Sequence, residues 1–193
     1  MTNNTRFARI RLFLGICILL LASLACTTVT RNIPSGLPFA SELSDNGRIG
    51  YLGSDGNVYM IDENGDNLTS LTEDAQAPSF SNNFRLYQYP TWSPDGRHLA
   101  FISIEATDTM RLHHLLVADR ETGEINNVFT HPEDQLIYLN WSPDNESISF
   151  ITTGETPPTL NLRLAFLNGD ESIILDRGQP YYWDWSPDGS QFF

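Results

Sequence analysis

The chain has 193 residues, 40% of them hydrophobic, and carries 24 acidic against 11 basic side chains for a formal net charge of −13. A surface this acidic repels phosphate backbones, which excludes a nucleic-acid-binding role. Only Cys17 and Cys26 are present, so no disulfide framework is expected.

Residues 1–11 contain Arg6, Arg9 and Arg11 and no acid, and residues 12–25 are almost wholly apolar. A bilayer span needs about 20 apolar residues, so this run has the length of a signal-peptide core. The expectation is a hydrophobic signal helix within a signal peptide over residues 1–25. Its last residues, Leu21-Ala22-Ser23-Leu24-Ala25-Cys26, resemble a bacterial lipobox, although Ser23 stands where leucine is usual. That resemblance implies a diacylated Cys26 as the new N-terminus. Cys17, preceded by Ile16, is the poorer candidate, and a plain secretory signal is the competing reading. Residues 26–46, with Pro34, Ser35, Gly36 and Pro38, read as a flexible tether. Once the three leader arginines are removed, eight basic residues face 24 acids, a balance of −16. The lipid, and not charge, would then hold the protein to the extracytoplasmic face of a membrane.

From residue 47 the pattern is of short strands punctuated by turns. Arg48–Leu52 is closed by Ser54-Asp55-Gly56, and Val58–Asp62 by Glu63-Asn64-Gly65-Asp66, with a short strand over 68–71. Residues 77–87 contain Pro78, Asn82 and Asn83 and read as a long loop. Then a phrase recurs: Trp92-Ser93-Pro94-Asp95-Gly96, Trp141-Ser142-Pro143-Asp144-Asn145 and Trp185-Ser186-Pro187-Asp188-Gly189. Proline presets φ for the first central turn position, aspartate tolerates the second, and glycine or asparagine accepts positive φ at the exit. Strand-like runs flank each phrase, and two further strands follow the first two copies: 115–119 and 125–130, then 160–167 and 172–175.

Tryptophans 49 and 44 residues apart fit one four-stranded propeller blade per copy. No helical period longer than two turns occurs after residue 40, so the expected class is all-β. The expected architecture is a partial β-propeller over 47–193, about three blades plus a truncated fourth, the opening unit lacking its first strand. An antiparallel sandwich is the bland competitor, and three in-register turn phrases argue against it. The phrase and its following apolar-small-Phe run (Leu99-Ala100-Phe101, Ile148-Ser149-Phe150) resemble the TolB-type, WD-like propeller repeat. Phe193 falls at the place of Ala100 and Ser149, in mid-strand, which suggests a chain longer than the sequence given.

The residues singled out for the site are these turn phrases, and their repetition assigns them structural roles. Asp95, Asp144 and Asp188 read as turn formers, and Trp92, Trp141 and Trp185 as blade-packing residues. Trp183 is an extra aromatic expected at the surface. Asp62, Asn64, Asp66, Ser70 and Glu73 have oxygen donors at calcium-loop spacing, but the required glycine is misplaced and strands flank the loop. His113 and His114 on one strand point to opposite faces and cannot chelate together. No metal, cofactor or catalytic residue is expected, and no Gly-x-Ser-x-Gly elbow occurs. The reading that results is a non-enzymatic, lipid-anchored scaffold for an unidentified envelope protein or ligand. The alternative is the gating propeller of a prolyl-oligopeptidase-type serine peptidase whose catalytic domain lies beyond residue 193.

Overall fold

The computed structural model describes residues 47–78, 83–132, 134–154, 159–168, 171–179 and 182–193. The expected signal helix, Cys26 and the tether to residue 46 lie outside the described residues.

Three antiparallel sheets follow one another in sequence. The first contains β1 (Arg48–Leu52), β2 (Val58–Asp62) and β3 (Thr69–Ser70) in the order β1-β2-β3. The second contains β4 (Phe84–Trp92), β5 (His98–Ala106), β6 (Arg111–Asp119) and β7 (Ile125–His131) in chain order. The third repeats this with β8 (Leu136–Trp141), β9 (Ser147–Thr153), β10 (Leu160–Phe166) and β11 (Ile173–Gly178). A fourth unit begins where Trp185 bridges Phe192, just as Trp92 pairs with Leu99 and Trp141 with Ile148. This is an all-β partial propeller, and among the described residues its first blade holds three strands, as the missing turn phrase implied.

The period-2 alternation of strands explains how the sheets stack. On β5, Leu99 and Phe101 enter a core shared with Val58 and Met60 of the first blade. Ala100, Ile102 and Ile104, on the other face, enter a core shared with Leu139, Trp141, Ile148 and Phe150 of the third. The strand is therefore buried on both faces, from Leu99 to Ile104. Each fully buried side chain of this size contributes roughly 1.5–3 kcal/mol from the apolar area removed from water.

The chain departs from the sequence expectations at two strands. Phe84 to Tyr87, read as loop, open the nine-residue strand β4. Tyr87 is buried against Phe101, and its hydroxyl donates to Asp74 Oδ1 at 2.5 Å. Burial, reinforced by that carboxylate, pushes the Tyr87 phenol up to about 12. Residues 182–184 form no regular strand; of the stretch read as one, Tyr181 lies outside the described residues.

Candidate functional site

Each turn phrase folds the same way, and its chemistry is internal. Ser93 Oγ donates to Asp95 Oδ1 at 2.6 Å and accepts the His98 N–H at 3.0 Å, while Asp95 Oδ1 also accepts the Arg97 N–H at 3.0 Å. Ser142 and Asp144 repeat this with Ser147 and Glu146, and Ser186 and Asp188 with Gln191 and Ser190. The Ser186 hydroxyl, with the Ser190 N–H and hydroxyl, holds the Asp188 carboxyl at about 2. Gly96, Asn145 and Gly189 take φ of 68°, 66° and 70°, the left-handed exit that favours glycine or asparagine. The serine and aspartate are thus occupied by the hairpin itself.

Each phrase tryptophan packs onto the preceding blade at one recurrent position. Counting back from the conserved geometry of the second strand, Gly50, Ala100 and Ser149 are equivalent small residues. A Cβ on Gly50 would stand 3.3 Å from Trp92 Nε1 and 2.7 Å from Leu99 Cδ1. Trp141 Nε1 donates to the Thr91 carbonyl at 3.0 Å. Trp185 Nε1 donates to Ser149 Oγ at 3.1 Å, and so does Trp183 Nε1 at 2.9 Å. Trp183, expected at the surface, is therefore half-buried, and it meets Tyr138 edge-on at 5.6 Å. Among the described residues, Trp92 Nε1 is buried with no acceptor.

A cavity of about 740 Å³ opens where the turns of the second blade meet the first. Its lining brings Arg48, Arg97 and Arg120 together with Asp95, Asp119 and Glu121. Arg48 Nη1 donates to the Arg120 carbonyl at 2.9 Å, and its Nε pairs with Asp62 at 3.1 Å. Equal numbers of each sign leave no strong field, and Arg48 acts as a tie between blades. The Asp62 carboxyl is held low by the Asn67 amide first and then by Arg48. The calcium-like loop is thus a hairpin whose first carboxylate already has partners. Among the described residues, no group of three or more His, Cys, Asp and Glu could hold a metal ion.

On β6 the two histidines do face opposite ways. His113 is buried toward the third blade, and its Nδ1 has no partner among the described residues, whereas His114 Nδ1 lies 2.9 Å from Thr130 Oγ1. Burial lowers both pKa values.

A register feature was missed in the sequence. Tyr89, Tyr138 and Tyr182 each stand three residues before a phrase tryptophan. They are 50%, 50% and 89% exposed. Aligning the copies upstream of tryptophan, and not only from it, would have found them.

The fold and its turns define a propeller segment, and comparison with known proteins gives its relatives. The chain is 28% identical over 156 residues to dipeptidyl-peptidase 5 of Porphyromonas gingivalis, covering 79% of this chain and 22% of that protein. It is 25% identical over 132 residues to a putative tricorn-like protease C-terminal subunit of Sulfurisphaera tokodaii, covering 68% of this chain and 14% of that protein. The chain therefore spans less than a quarter of either relative's length. No protein-family model matches it. Among solved structures, a prolyl endopeptidase shares the fold with a TM-score of 0.55 at 17% identity, covering 77% of this chain and 24% of that one. An oligogalacturonate lyase in complex with manganese does so with a TM-score of 0.52 at 18% identity, covering 72% and 37%.

These relatives overturn two expectations. The sequence was read as a non-enzymatic scaffold with no enzyme activity in this chain, yet the proteins of similar sequence are a dipeptidyl-peptidase and a putative tricorn-like protease subunit, which favours the alternative of a peptidase-associated propeller. The physical reason for the misreading is that this segment consists of blades and turns, whose polar groups are consumed by the hairpins.

Proposed function

We propose that this chain is the propeller portion of a serine peptidase of the prolyl-oligopeptidase type, the module that gates access to a hydrolase domain. The observation that carries the reading is the 28% identity to dipeptidyl-peptidase 5 over 156 residues. The similarity in fold to a prolyl endopeptidase agrees with it. In this reading the blades supply a rigid frame that admits short or unfolded peptides, while the nucleophile and its base come from outside residues 47–193.

The test is made on the full gene product. Its reading frame should encode a Gly-x-Ser-x-Gly elbow downstream of the blades, and the protein should be labelled at that serine by a fluorophosphonate and cleave short peptides. A full gene product with no such elbow and no labelling overturns the reading.

For location, the reading is a signal peptide over 1–25, a lipidated Cys26 with a tether to residue 46, and a propeller repeat of TolB type held at the extracytoplasmic face. Arg6, Arg9 and Arg11, the apolar run of 12–25 and Ala25-Cys26 support this. Incorporation of radiolabelled palmitate that persists in Cys26→Ser would exclude it.

A further inference from the structure

The chain leaves β7 of the second blade for β8 of the third through a short connection that His131 and Asp134 tie together. The backbone N–H of Asp134 donates to His131 Nδ1 at 2.9 Å. An imidazole nitrogen accepts only while it carries no proton, so this bond belongs to the neutral ring with its hydrogen on Nε2. The Asp134 carboxylate stands beside the same nitrogen, with Oδ1 at 3.8 Å. Its Oδ2 accepts from Nη2 of Arg163 on β10 at 3.1 Å. One residue of the connection is thus held twice, through its backbone by the second blade and through its side chain by the third.

Solvent reaches this ring. The His131 side chain is 35% exposed, and with Arg163, Glu171 and Ser172 it lines a cavity of about 530 Å³ between the second and third blades. Its cross-strand partner on β6 is His113, and its own strand sets the Phe129 ring parallel to it at 6.2 Å. Among the described residues, the charged and titratable groups around His131 are therefore Asp134 on the connection, His113 on β6, Arg163 on β10 and Glu171 ahead of β11. Arg111 lies further along the His113 face of β6. Burial chiefly, with Arg111, His114 and His131 adding to it, lowers the His113 pKa, so a second positive charge on this row is opposed.

We propose that the His131–Asp134 contact is a proton-operated latch on the seam between the second and third blades. In the neutral ring, Nδ1 holds the Asp134 backbone N–H. A proton taken from solvent onto Nδ1 turns that acceptor into a donor and sets it against the N–H it had held. The new N–H finds its acceptor in Asp134 Oδ1, with which the imidazolium makes a charge-assisted bond. The backbone N–H is released, and the carboxylate is drawn from Arg163 toward the ring. This exchange happens within the folded protein and at one bond, unlike the loss of global stability that comes from charging a buried histidine. It rests on the geometry of the seam and not on the peptidase reading.

The experiment measures hydrogen exchange at the Asp134 amide in the full gene product, by mass spectrometry at single-residue resolution. Protection is expressed over the intrinsic exchange rate, so that the pH dependence of exchange itself drops out. The Phe150 amide, on the buried strand β9, reports global unfolding. Between about pH 8 and pH 5, the range histidines ordinarily span, Asp134 protection should fall roughly tenfold relative to that of Phe150. His131→Asn places an amide oxygen where Nδ1 stood, an acceptor for a nearby backbone N–H at every pH, and its Asp134 protection should not respond to acid. His131→Ala should leave the Asp134 amide open across the whole range. Constant Asp134 protection in the wild type overturns the latch. So does the same fall in His131→Asn, or full protection in His131→Ala at the alkaline end.

Discussion

The Asn145 side-chain oxygen accepts the backbone N–H of Asp95 at 2.9 Å, joining the turn of the third blade to that of the second. The middle phrase is the one copy that lacks glycine, and asparagine does there what glycine cannot. It tolerates a φ of 66° and reaches across to the neighbouring turn. Around the same face, Gly189 of the fourth unit comes against Pro143 and Asp144 of the third.

Asn145→Gly should keep the backbone conformation and lose only the bridge, at a cost of about 1 kcal/mol. Asn145→Ala loses the bridge and forces a left-handed alanine, which brings the cost to about 2 kcal/mol. Urea denaturation of the three proteins should therefore rank wild type above glycine above alanine. A glycine variant as stable as wild type would mean that the inter-blade bond carries no net free energy.

The seat of the phrase tryptophan allows a sharper prediction. A methyl group at Gly50 would meet both Leu99 methyls at 2.7 and 2.9 Å, and Leu99 is fully buried and cannot swing away. Gly50→Ala should cost roughly 1–3 kcal/mol from overpacking, although alanine is the wild-type residue at the equivalent position 100. Ser149→Ala should cost about 1–3 kcal/mol for the opposite reason, because it strands the Trp183 and Trp185 N–H groups. Intrinsic tryptophan fluorescence during denaturation reads both effects directly. An unchanged midpoint in Gly50→Ala would contradict the close approach of blades one and two.

Much of this fold was legible because its signal is redundant. Trp92, Trp141 and Trp185 mark the blades, and every residue of the phrase does a job that its side chain can do alone. A hydroxyl, a carboxylate and a positive φ suffice to predict the hairpin. Phe84 to Tyr87 were misread because Asn82 and Asn83 signal a turn locally, whereas burial of Tyr87 against Phe101 is decided by residues fourteen positions downstream. The relation to peptidases stood only as the alternative for a different reason. Turn residues bonded to one another look alike whatever protein they serve, and the similarity to a dipeptidyl-peptidase emerged only from comparison over 156 residues.

Arg163 of the third blade is held by the connection from the second blade and lies over a ring of that blade. Arg163 on β10 pairs with Asp134 at 3.1 Å, donates Nε to Thr152 Oγ1 at 3.2 Å, and lies 5.3 Å from the ring centroid of Phe129 on β7. Both charged side chains are about nine-tenths buried. Arg163→Met removes one partner and leaves the carboxylate without its cation, which should cost roughly 3–5 kcal/mol. Adding Asp134→Leu should recover most of the loss, since an apolar pair often matches a buried ion pair. A double variant no more stable than Arg163→Met would show that the lost ring contact, and not the unpaired carboxylate, accounts for the cost.

Acid should loosen the same interface through His113. Burial is the main cause of its lowered pKa, with Arg111, His114 and His131 acting in the same direction and Asp134 opposing them. His114 is lowered chiefly by burial too, against the pull of Glu105. A histidine whose folded pKa lies below its unfolded value of about 6.5 binds more protons when unfolded, so stability rises with pH through that window. The contribution is complete above pH 6.5 and is lost as pH falls from there toward the depressed folded values. The carboxylates act lower down. Asp188, held at about 2, contributes stability above its unfolded pKa of 3.8 that disappears as pH falls through about 2. Denaturation midpoints should therefore decline from pH 7 to pH 5, and His113→Leu should flatten that decline while leaving the steeper acid limb in place. A midpoint that stays constant over this range in the wild type would show that the imidazole is not desolvated between the blades.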